Sequence, residues 1–386
     1  SASMPHANTW GEQGVGGPGR AVTARRAYLD GRVHSADVLL GVGRQEVIMP
    51  SYVFNSPVLD GTLDGVTVHA PINEMVSLNA GWLRPSAALN KWGTEHYAHS
   101  SVDLAFLTAD FKGEGYKISP WGMIGLHGNG DGVKAPGSLD MMGYGAADEA
   151  RTTVYWAGIG GELALFDPFT ITGDFIYSGN DANGDAERRG WYAALGAEMK
   201  ADFGTPFLRG WYASGDDDDR GNGSERMPYL SVANVHNAWS HYAFNGNEYI
   251  SREGAVGNGM TGTWGVGLQL RDVNVIEDLY QTFRVNLIGG TNDPGMAKWL
   301  SSQGLAANSG ALSGTPGMDG LYLTRQDYAL EWGLTSTTKV TENFTVALDV
   351  AYVALWLDHD GSVWGNSRMN GRNDEVRDAW NFSLSY

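Results

Sequence analysis

The carboxyl-terminal stretch reads Glu375-Val376-Arg377-Asp378-Ala379-Trp380-Asn381-Phe382-Ser383-Leu384-Ser385-Tyr386. From Trp380 onward every second residue is large and apolar, while Asn381, Ser383 and Ser385 fill the alternate positions. Because a strand points successive side chains to opposite faces, one face is apolar and the other is polar. This pattern, ending on an aromatic residue, is typical of the last strand of an outer-membrane β-barrel. The competing interpretation is the last strand of a soluble β-sandwich.

The same alternation recurs through the chain. In the segment 191–202, Trp191, Leu195 and Met199 fall on one face, whereas Glu198 and Lys200 fall on the other. Further alternating segments are 171–178, 264–271, 282–287 and 328–335. Sustained helical spacing is not found, so the pattern predicts an all-β chain.

The connections between these segments alternate in length. Short ones lie near 34–36, 73–74, 113–115, 167–169, 203–205, 277–278 and 341–342. Long polar ones lie near 46–61, 86–101, 128–150, 179–189, 215–258, 291–324 and 358–373. Outer-membrane barrels have short periplasmic turns and long extracellular loops, whereas a soluble sandwich has no reason to alternate. The sequence therefore predicts one transmembrane antiparallel β-barrel over 1–386.

The expected strand number follows from the same count. The alternation gives roughly 15 strands, and bacterial barrels of this type have even numbers. We expect 16 strands, with 18 as the alternative, and at least one strand missed or lying upstream of Ser1. Barrels of 16 to 18 strands leave an aqueous channel.

Composition excludes several other classes of protein. The net charge of −18 argues against nucleic-acid binding, because phosphate backbones need Lys and Arg. The most apolar stretch, Val346 to Leu357, is interrupted by Asp349 and is too short for a transmembrane helix. The absence of Cys removes disulfides and thiol chemistry. No nucleophile elbow or P-loop appears, so we expect no enzyme activity and no required cofactor.

One loop has spacing that suggests a metal. Asp181, Asn183 and Asp185 place oxygens at i, i+2 and i+4, which is half of a calcium loop, but no bidentate Glu follows at the usual distance. Calcium in the outer loops is therefore one interpretation. A solvated acidic loop, continued by the four carboxylates of 216–219, is the other.

A family resemblance rests on three stretches near the amino terminus. They read Arg25-Arg26-Ala27-Tyr28-Leu29-Asp30-Gly31, Leu40-Gly41-Val42-Gly43-Arg44-Gln45 and Pro50-Ser51-Tyr52-Val53-Phe54-Asn55-Ser56-Pro57-Val58-Leu59-Asp60. They resemble the outer-membrane homotrimeric porins of sulfate-reducing bacteria, within the general-porin group. The resemblance implies a trimer of water-filled barrels and strands upstream of these stretches. It also implies that the loop 46–61, after Gly43-Arg44, folds inward and narrows the channel.

Charges on the walls around such a constriction would orient water and filter solutes. The candidates are taken from the strand faces that the sequence predicts to be polar. They are Arg26, Asp30, Arg44, Arg84, Asp110, Asp174, Arg209, Arg271, Arg284 and Asp349. The alternative is that they are ordinary water-facing residues.

The sequence thus predicts a porin of the bacterial outer membrane for passive diffusion of ions and small hydrophilic solutes. Its expected partners are two further copies of itself, membrane lipid and lipopolysaccharide. The alternatives are a substrate-selective channel of 18 strands and a soluble or surface β-structural protein.

Overall fold

A computed structural model describes most of the chain. The described residues are 8–10, 22–24, 26–33, 37–86, 102–127, 139–140, 152–184, 187–230, 260–302, 323–342, 344–358, 363 and 377–385. The predictions for Asp185, for Tyr386 and for the turn 34–36 fall outside these residues.

The described residues form strands almost throughout. The first ten strands are β1 (Asn8–Trp10), β2 (Val22–Ala24), β3 (Ala27–Val33), β4 (Val38–Ile48), β5 (Asp60–Pro71), β6 (Val76–Ser86), β7 (Val102–Gly113), β8 (Tyr116–His127), β9 (Leu139–Asp140) and β10 (Thr152–Phe166). The others are β11 (Phe169–Asn180), β12 (Arg189–Met199), β13 (Thr205–Ala213), β14 (Tyr229–Leu230), β15 (Thr263–Ile276), β16 (Leu279–Gly290), β17 (Tyr328–Thr341), β18 (Phe344–Trp356) and β19 (Arg377–Ser385). A helix, α1 (Pro294–Ser302), lies between β16 and β17.

Fifteen of these strands make one antiparallel sheet in which chain neighbours are sheet neighbours. Its order is β19-β18-β17-β16-β15-β13-β12-β11-β10-β8-β7-β6-β5-β4-β3. The small strands pair separately, β1 with β2 and β9 with β14. Turns of a few residues alternate with long connections along the whole sheet, which confirms the predicted barrel topology. The predicted total of 16 strands, or 18, stays a prediction, since the described residues contribute 15 to the sheet.

The outer face of the sheet is apolar. Along β12, Trp191 and Leu195 are exposed, while Tyr192 and Ala194 between them are buried on the inner face. Large exposed apolar side chains recur at every second position on the other strands, as with Phe283, Val285 and Leu287 on β16. These residues confirm the outward-facing set that the alternation predicts.

Aromatic rings concentrate at both ends of this outer face. Near the long loops the exposed rings are Tyr177, Trp191, Tyr212, Tyr328 and Trp356. Near the short turns they are Phe111, Phe166, Phe169, Phe203, Tyr280 and Phe344. Two such belts with an apolar band between them are the pattern of a lipid-embedded barrel.

The inner face of the sheet is not polar along its whole length, as the lining of a water-filled channel would be. On the long-loop half it is apolar and buried, and it forms one core with inward-folded loop residues. The strands contribute Leu63, Leu83, Leu104, Met123, Val154, Trp156, Ile176, Tyr192 and Ile288. Trp121 and Trp211 are also buried inside. The reason is that loops cover this half of the interior, so it meets protein rather than water.

Within the described residues, no helix is both long enough and apolar enough to cross a membrane.

The outward assignment predicts the effect of a charge on the lipid face. Leu195, in the middle of β12, has 70% of its surface exposed. Leu195→Arg should lower the free energy of unfolding in lipid bilayers by about 2–4 kcal/mol, because a guanidinium there must be accommodated in hydrocarbon. The matched change Phe203→Arg, at a short turn, should cost about 0–1 kcal/mol. Urea unfolding in bilayers measures both. Equal costs would mean that Leu195 does not face lipid.

Candidate functional site

The connection between β4 and β5 folds into the interior of the sheet. β4 ends at Ile48 and β5 begins at Asp60, within the range 46–61 predicted for an inward loop. Met49, Val58 and Leu59 of this connection are fully buried. Hereafter the residues 49–59 are called the inner loop.

The carboxylate of Asp174, on β11, holds the tip of the inner loop. It accepts hydrogen bonds from the backbone N–H of Tyr52 at 2.9 Å and of Val53 at 2.8 Å, and from Ser51 Oγ at 3.0 Å. Asp174 itself is buried. Hydrogen bonds to an ionised carboxylate are the strong ones, so this side chain fixes where the loop crosses the interior.

A second anchor joins the loop to β8 and β7. The Tyr52 hydroxyl lies 2.6 Å from Ser119 Oγ, and Ser119 in turn donates to Asp110. Lys117 places its ammonium 5.3 Å from the centre of the Tyr52 ring, in cation–π range. The Tyr52 side chain is therefore held from its ring and from its hydroxyl.

The far side of the loop tip packs on β13. The Phe54 ring meets the Trp211 ring edge-on at a centroid distance of 5.3 Å. The guanidinium of Arg209 lies 5.0 Å from the Phe54 ring and 4.9 Å from the Phe207 ring. Loop and wall thus enclose one cation between two aromatic faces, an arrangement that is stronger where water is excluded.

Two cavities flank the inner loop on the short-turn side. One, of about 520 Å³, is lined by loop residues with Asp30, His69, Asn79, Asp110 and Lys117. The other, of about 450 Å³, is lined by Tyr52 to Asn55 with Glu162, Glu198, Arg209, Arg271, Asp272 and Arg284. Polar side chains line the interior here, in contrast to the apolar core on the long-loop side.

Three of the predicted Arg residues meet in the second cavity. Arg209, Arg271 and Arg284 come from β13, β15 and β16, which are neighbours in the sheet. Arg271 pairs with Glu198. Arg284 donates to Thr335, whose hydroxyl donates to Asp349 at 2.6 Å. The predicted residue Asp349 therefore contacts this cluster through one intervening hydroxyl.

The other predicted acidic residues lie around the first cavity and the loop. Asp30 and Asp110 line that cavity, and Asp174 binds the loop tip. The structure thus places acidic groups on the β3, β7 and β11 walls and the Arg cluster on the β13–β16 wall.

The remaining predicted Arg residues lie away from these cavities. Arg44 and Arg84 are on the outer face of the sheet, where Arg44 pairs with Asp64 and Arg84 with Asp103. Their neighbours Gln45 and Leu83 point inward, so strand alternation directs both Arg side chains outward. Arg26 is exposed and pairs with Glu46.

Of the residues predicted to bind calcium, Asp181 forms hydrogen bonds with the backbone of a neighbouring strand. Asp181 accepts the Thr153 N–H at 2.8 Å, and its own N–H donates to the Thr153 carbonyl at 3.0 Å. Asp185, two residues after Asn183, is outside the described residues. Among the residues that are described, no group of three His or acidic side chains gathers as a metal site.

The acidic run 216–219 belongs to a segment that folds inward. Asp216 is buried and accepts from Ser224 Oγ at 2.5 Å and from the Glu225 N–H at 3.1 Å. Partial burial raises the pKa of the Glu225 carboxyl, an effect opposed by the N–H of Asp217 that it accepts. Part of this acidic run therefore builds the loop rather than facing solvent.

The site residues predicted from the sequence do not include Tyr52 and Phe54 of the inner loop, nor Lys117, Ser119 and Phe207 around it. The available signal was the density of aromatic residues on the strand faces that also carry charge. These contacts become visible only in the fold, because the partners lie far apart in sequence: Tyr52 and Ser119 are separated by 67 positions.

Comparisons with known proteins bear on the fold. A scan against protein-family models and a search of curated proteins found no match. Among solved structures, the outer membrane protein OprD from Pseudomonas aeruginosa aligns with a TM-score of 0.50 at 12% identity, over 95% of this chain and 78% of that chain. OccK5 (OpdH) from the same organism gives 0.47 at 12% identity, over 95% and 82%.

The chain has the OprD fold. At 12% identity the similarity concerns architecture, and it agrees with the antiparallel order of the 15-stranded sheet.

The anchor predicts how the inner loop responds to loss of one carboxylate. Asp174→Ala removes three charge-assisted hydrogen bonds, each contributing about 1.5–3 kcal/mol. In the Cys-free chain, Val53→Cys reports on the loop, because Val53 is buried. Its labelling by a water-soluble maleimide should speed up at least about tenfold, the effect of 1.4 kcal/mol.

The matched control for this labelling is Asp349→Ala. It also removes a buried carboxylate, but one that accepts from Thr335 on β17. Labelling of Val53→Cys should stay slow in that background. Equal acceleration in both backgrounds would mean that Asp174 does not hold the loop.

Proposed function

We propose that this chain is a porin of the bacterial outer membrane, with the inner loop as its constriction. Ions and small hydrophilic solutes pass by diffusion between the loop and the polar wall, and no reaction is catalysed. The observation that carries this proposal is the loop tip held by Asp174 between two polar cavities of about 520 and 450 Å³.

Insertion in a membrane is supported by the outer surface. A band of exposed apolar side chains between two aromatic belts would be costly in water and is stabilised in lipid. OprD, a solved structure with the same fold, is an outer membrane protein. The lipopolysaccharide of the outer leaflet is accordingly one of its surroundings.

The wall charges support weak selectivity. The Arg cluster favours anions, yet Glu198 pairs with Arg271, and Asp349 connects to Arg284 through Thr335. Acidic groups at Asp110 and Asp174 lie across the loop. Outer-loop charges such as Asp218 and Asp219 are exposed and are screened beyond a Debye length of about 8 Å.

A second candidate is a substrate-selective channel. It is favoured by one observation, the convergence of three guanidinium groups from neighbouring strands in one cavity. Guanidinium forks match carboxylate and phosphate geometry. Such a channel would bind an anionic solute there and show saturable conductance.

The trimer and the kinship with the porins of sulfate-reducing bacteria belong to the proposal as well. They rest on the resemblance of the stretches 25–31, 40–45 and 50–60. A general porin of that group would function as three parallel barrels.

Single-channel recording in a planar bilayer tests the proposal. We expect a conductance proportional to salt concentration, and a larger conductance for Asp174→Ala because the loop is released. Asp349→Ala, which leaves the loop anchor in place, should change it less. A chain that folds in bilayers without conducting would contradict the porin function. A conductance blocked by one anion at low concentration would favour the selective channel.

A reversal potential across a salt gradient tests the Arg cluster. Arg209→Gln removes one positive charge beside the loop, which interacts with an ion about 4 Å away by about 1 kcal/mol in a water-filled channel, so the anion-to-cation permeability ratio should fall roughly fivefold. Arg44→Gln removes an equal charge from the outer face and should leave the ratio unchanged. Equal shifts in the two variants would mean that the cluster does not line the permeation path.

A further inference from the structure

A row of charges crosses the outer face of four neighbouring strands. Arg44 on β4, Asp64 on β5, Arg84 on β6 and Asp103 on β7 lie side by side with alternating sign. Arg44 and Asp64 are register partners 3.4 Å apart, and Asp64 is the register partner of Arg84. Arg84 binds both carboxylate oxygens of Asp103, at 2.8 and 2.9 Å. Its guanidinium also covers the exposed ring of Trp82.

The inward direction of the adjacent residues fixes the direction of this row. Leu63, Leu83 and Leu104, each next to one member of the row, are buried in the interior core, and Gln45 lines the first cavity. Successive strand residues point to opposite faces. The row therefore faces whatever surrounds the barrel.

The height of the row is unusual for a wall that meets lipid. Arg44, Asp64 and Arg84 lie about six to eight residues from the short-turn ends of their strands. At about 2.5 Å of height per tilted residue, this is roughly 15–20 Å, short of the ~25 Å apolar band of such barrels. On β10, by contrast, outward residues from Leu165 to Tyr155 are apolar over about 25 Å.

On β5 the outward side chains beneath the row are small. On β5 the outward residues below Asp64 are Val66, Val68 and Ala70. On β12 and β16 the outward residues include Trp191, Leu195 and Phe283. Small side chains let another surface approach the backbone closely, whereas acyl chains make no such demand.

We propose that the wall β4–β7 is covered by a second copy of this chain, and that the charge row is the contact that sets its register. The proposal rests on the proposed function, in that it takes the barrel to be embedded in a membrane. When two copies lie side by side in one membrane with these walls facing each other, the strand order of one wall is reversed relative to the other. Arg44 of one copy then opposes Asp103 of the other, and Asp64 opposes Arg84, so unlike charges meet. Ion pairs enclosed between two barrels are removed from hydrocarbon, which relieves the cost of charge on that face.

Thiol cross-linking tests the location of the contact. The chain has no Cys, so Val66→Cys on this wall and Val285→Cys on β16 each give a single thiol facing outward. With a bis-maleimide in intact membranes, Val66→Cys should give cross-linked dimers. Val285→Cys should give none. Dimers from Val285→Cys alone, or from neither variant, would overturn the proposal.

Reversal of the whole row tests the role of its charges. The variant Arg44→Glu, Asp64→Arg, Arg84→Glu, Asp103→Arg keeps every pair within a chain attractive. Reversed chains should assemble with each other, but their co-purification with differently tagged wild-type chains should be lost, because like charges then face each other. If reversed chains co-purified with wild-type chains as well as two differently tagged wild-type chains do with each other, the proposal would be overturned.

The remaining outcomes separate this inference from the proposed function. Lipopolysaccharide that stays bound to the purified wild type and is lost on reversal, without thiol cross-links, would overturn the protein contact in favour of a lipid headgroup. Chains that conduct in bilayers as monomers would overturn the contact while leaving the porin function intact. Chains that assemble but do not conduct would contradict the porin function while leaving the contact intact.

Discussion

The interior of this barrel depends on one buried carboxylate. Asp174 gathers two backbone N–H groups and a hydroxyl from the inner loop, and thereby holds a stretch of chain more than a hundred positions away in sequence. A loop inside a barrel leaves backbone groups that need partners, and a carboxylate with several acceptor positions supplies them at one point. With the tip fixed there, the rest of the loop can bury Met49, Val58 and Leu59. The polar cavities then remain on the other side.

The exterior of the barrel could be predicted from sequence, whereas the interior could be predicted only in part. Lipid imposes one requirement on every strand, so alternation such as that of Phe283, Val285 and Leu287 reports the outer face directly. The interior has two environments. Tyr192 and Trp211 lie on the inner face, which alternation marks as the wet one, yet loops cover them and they are buried. Which loops fold inward depends on contacts that join distant segments, and sequence spacing does not contain them.

The charged residues show the same division. Arg209, Arg271 and Arg284 were predicted to line the interior, and the fold brings them into one cavity. The sequence also predicts Arg44 and Arg84 on the polar face, but both lie on the outer face of the sheet. The neighbours of these two Arg residues on β4 and β6 do not alternate clearly between polar and apolar, so the sequence lacks the reference that fixes direction elsewhere. In the structure, the pairing of Arg44 with Asp64 and the burial of Leu83 show that both Arg side chains point outward.

The apolar core on the long-loop side has a consequence for how the protein responds to temperature. A barrel with a water-filled interior exposes little new apolar surface to water when it unfolds, because its inner face is already wet. Here side chains such as Leu63, Trp156 and Met227 are buried among themselves, as in a water-soluble domain. Hydration of that surface on unfolding raises the heat capacity. The free energy of unfolding of the barrel therefore varies with temperature along a curve. Its maximum lies at a temperature set by the interior rather than by the lipid around the barrel.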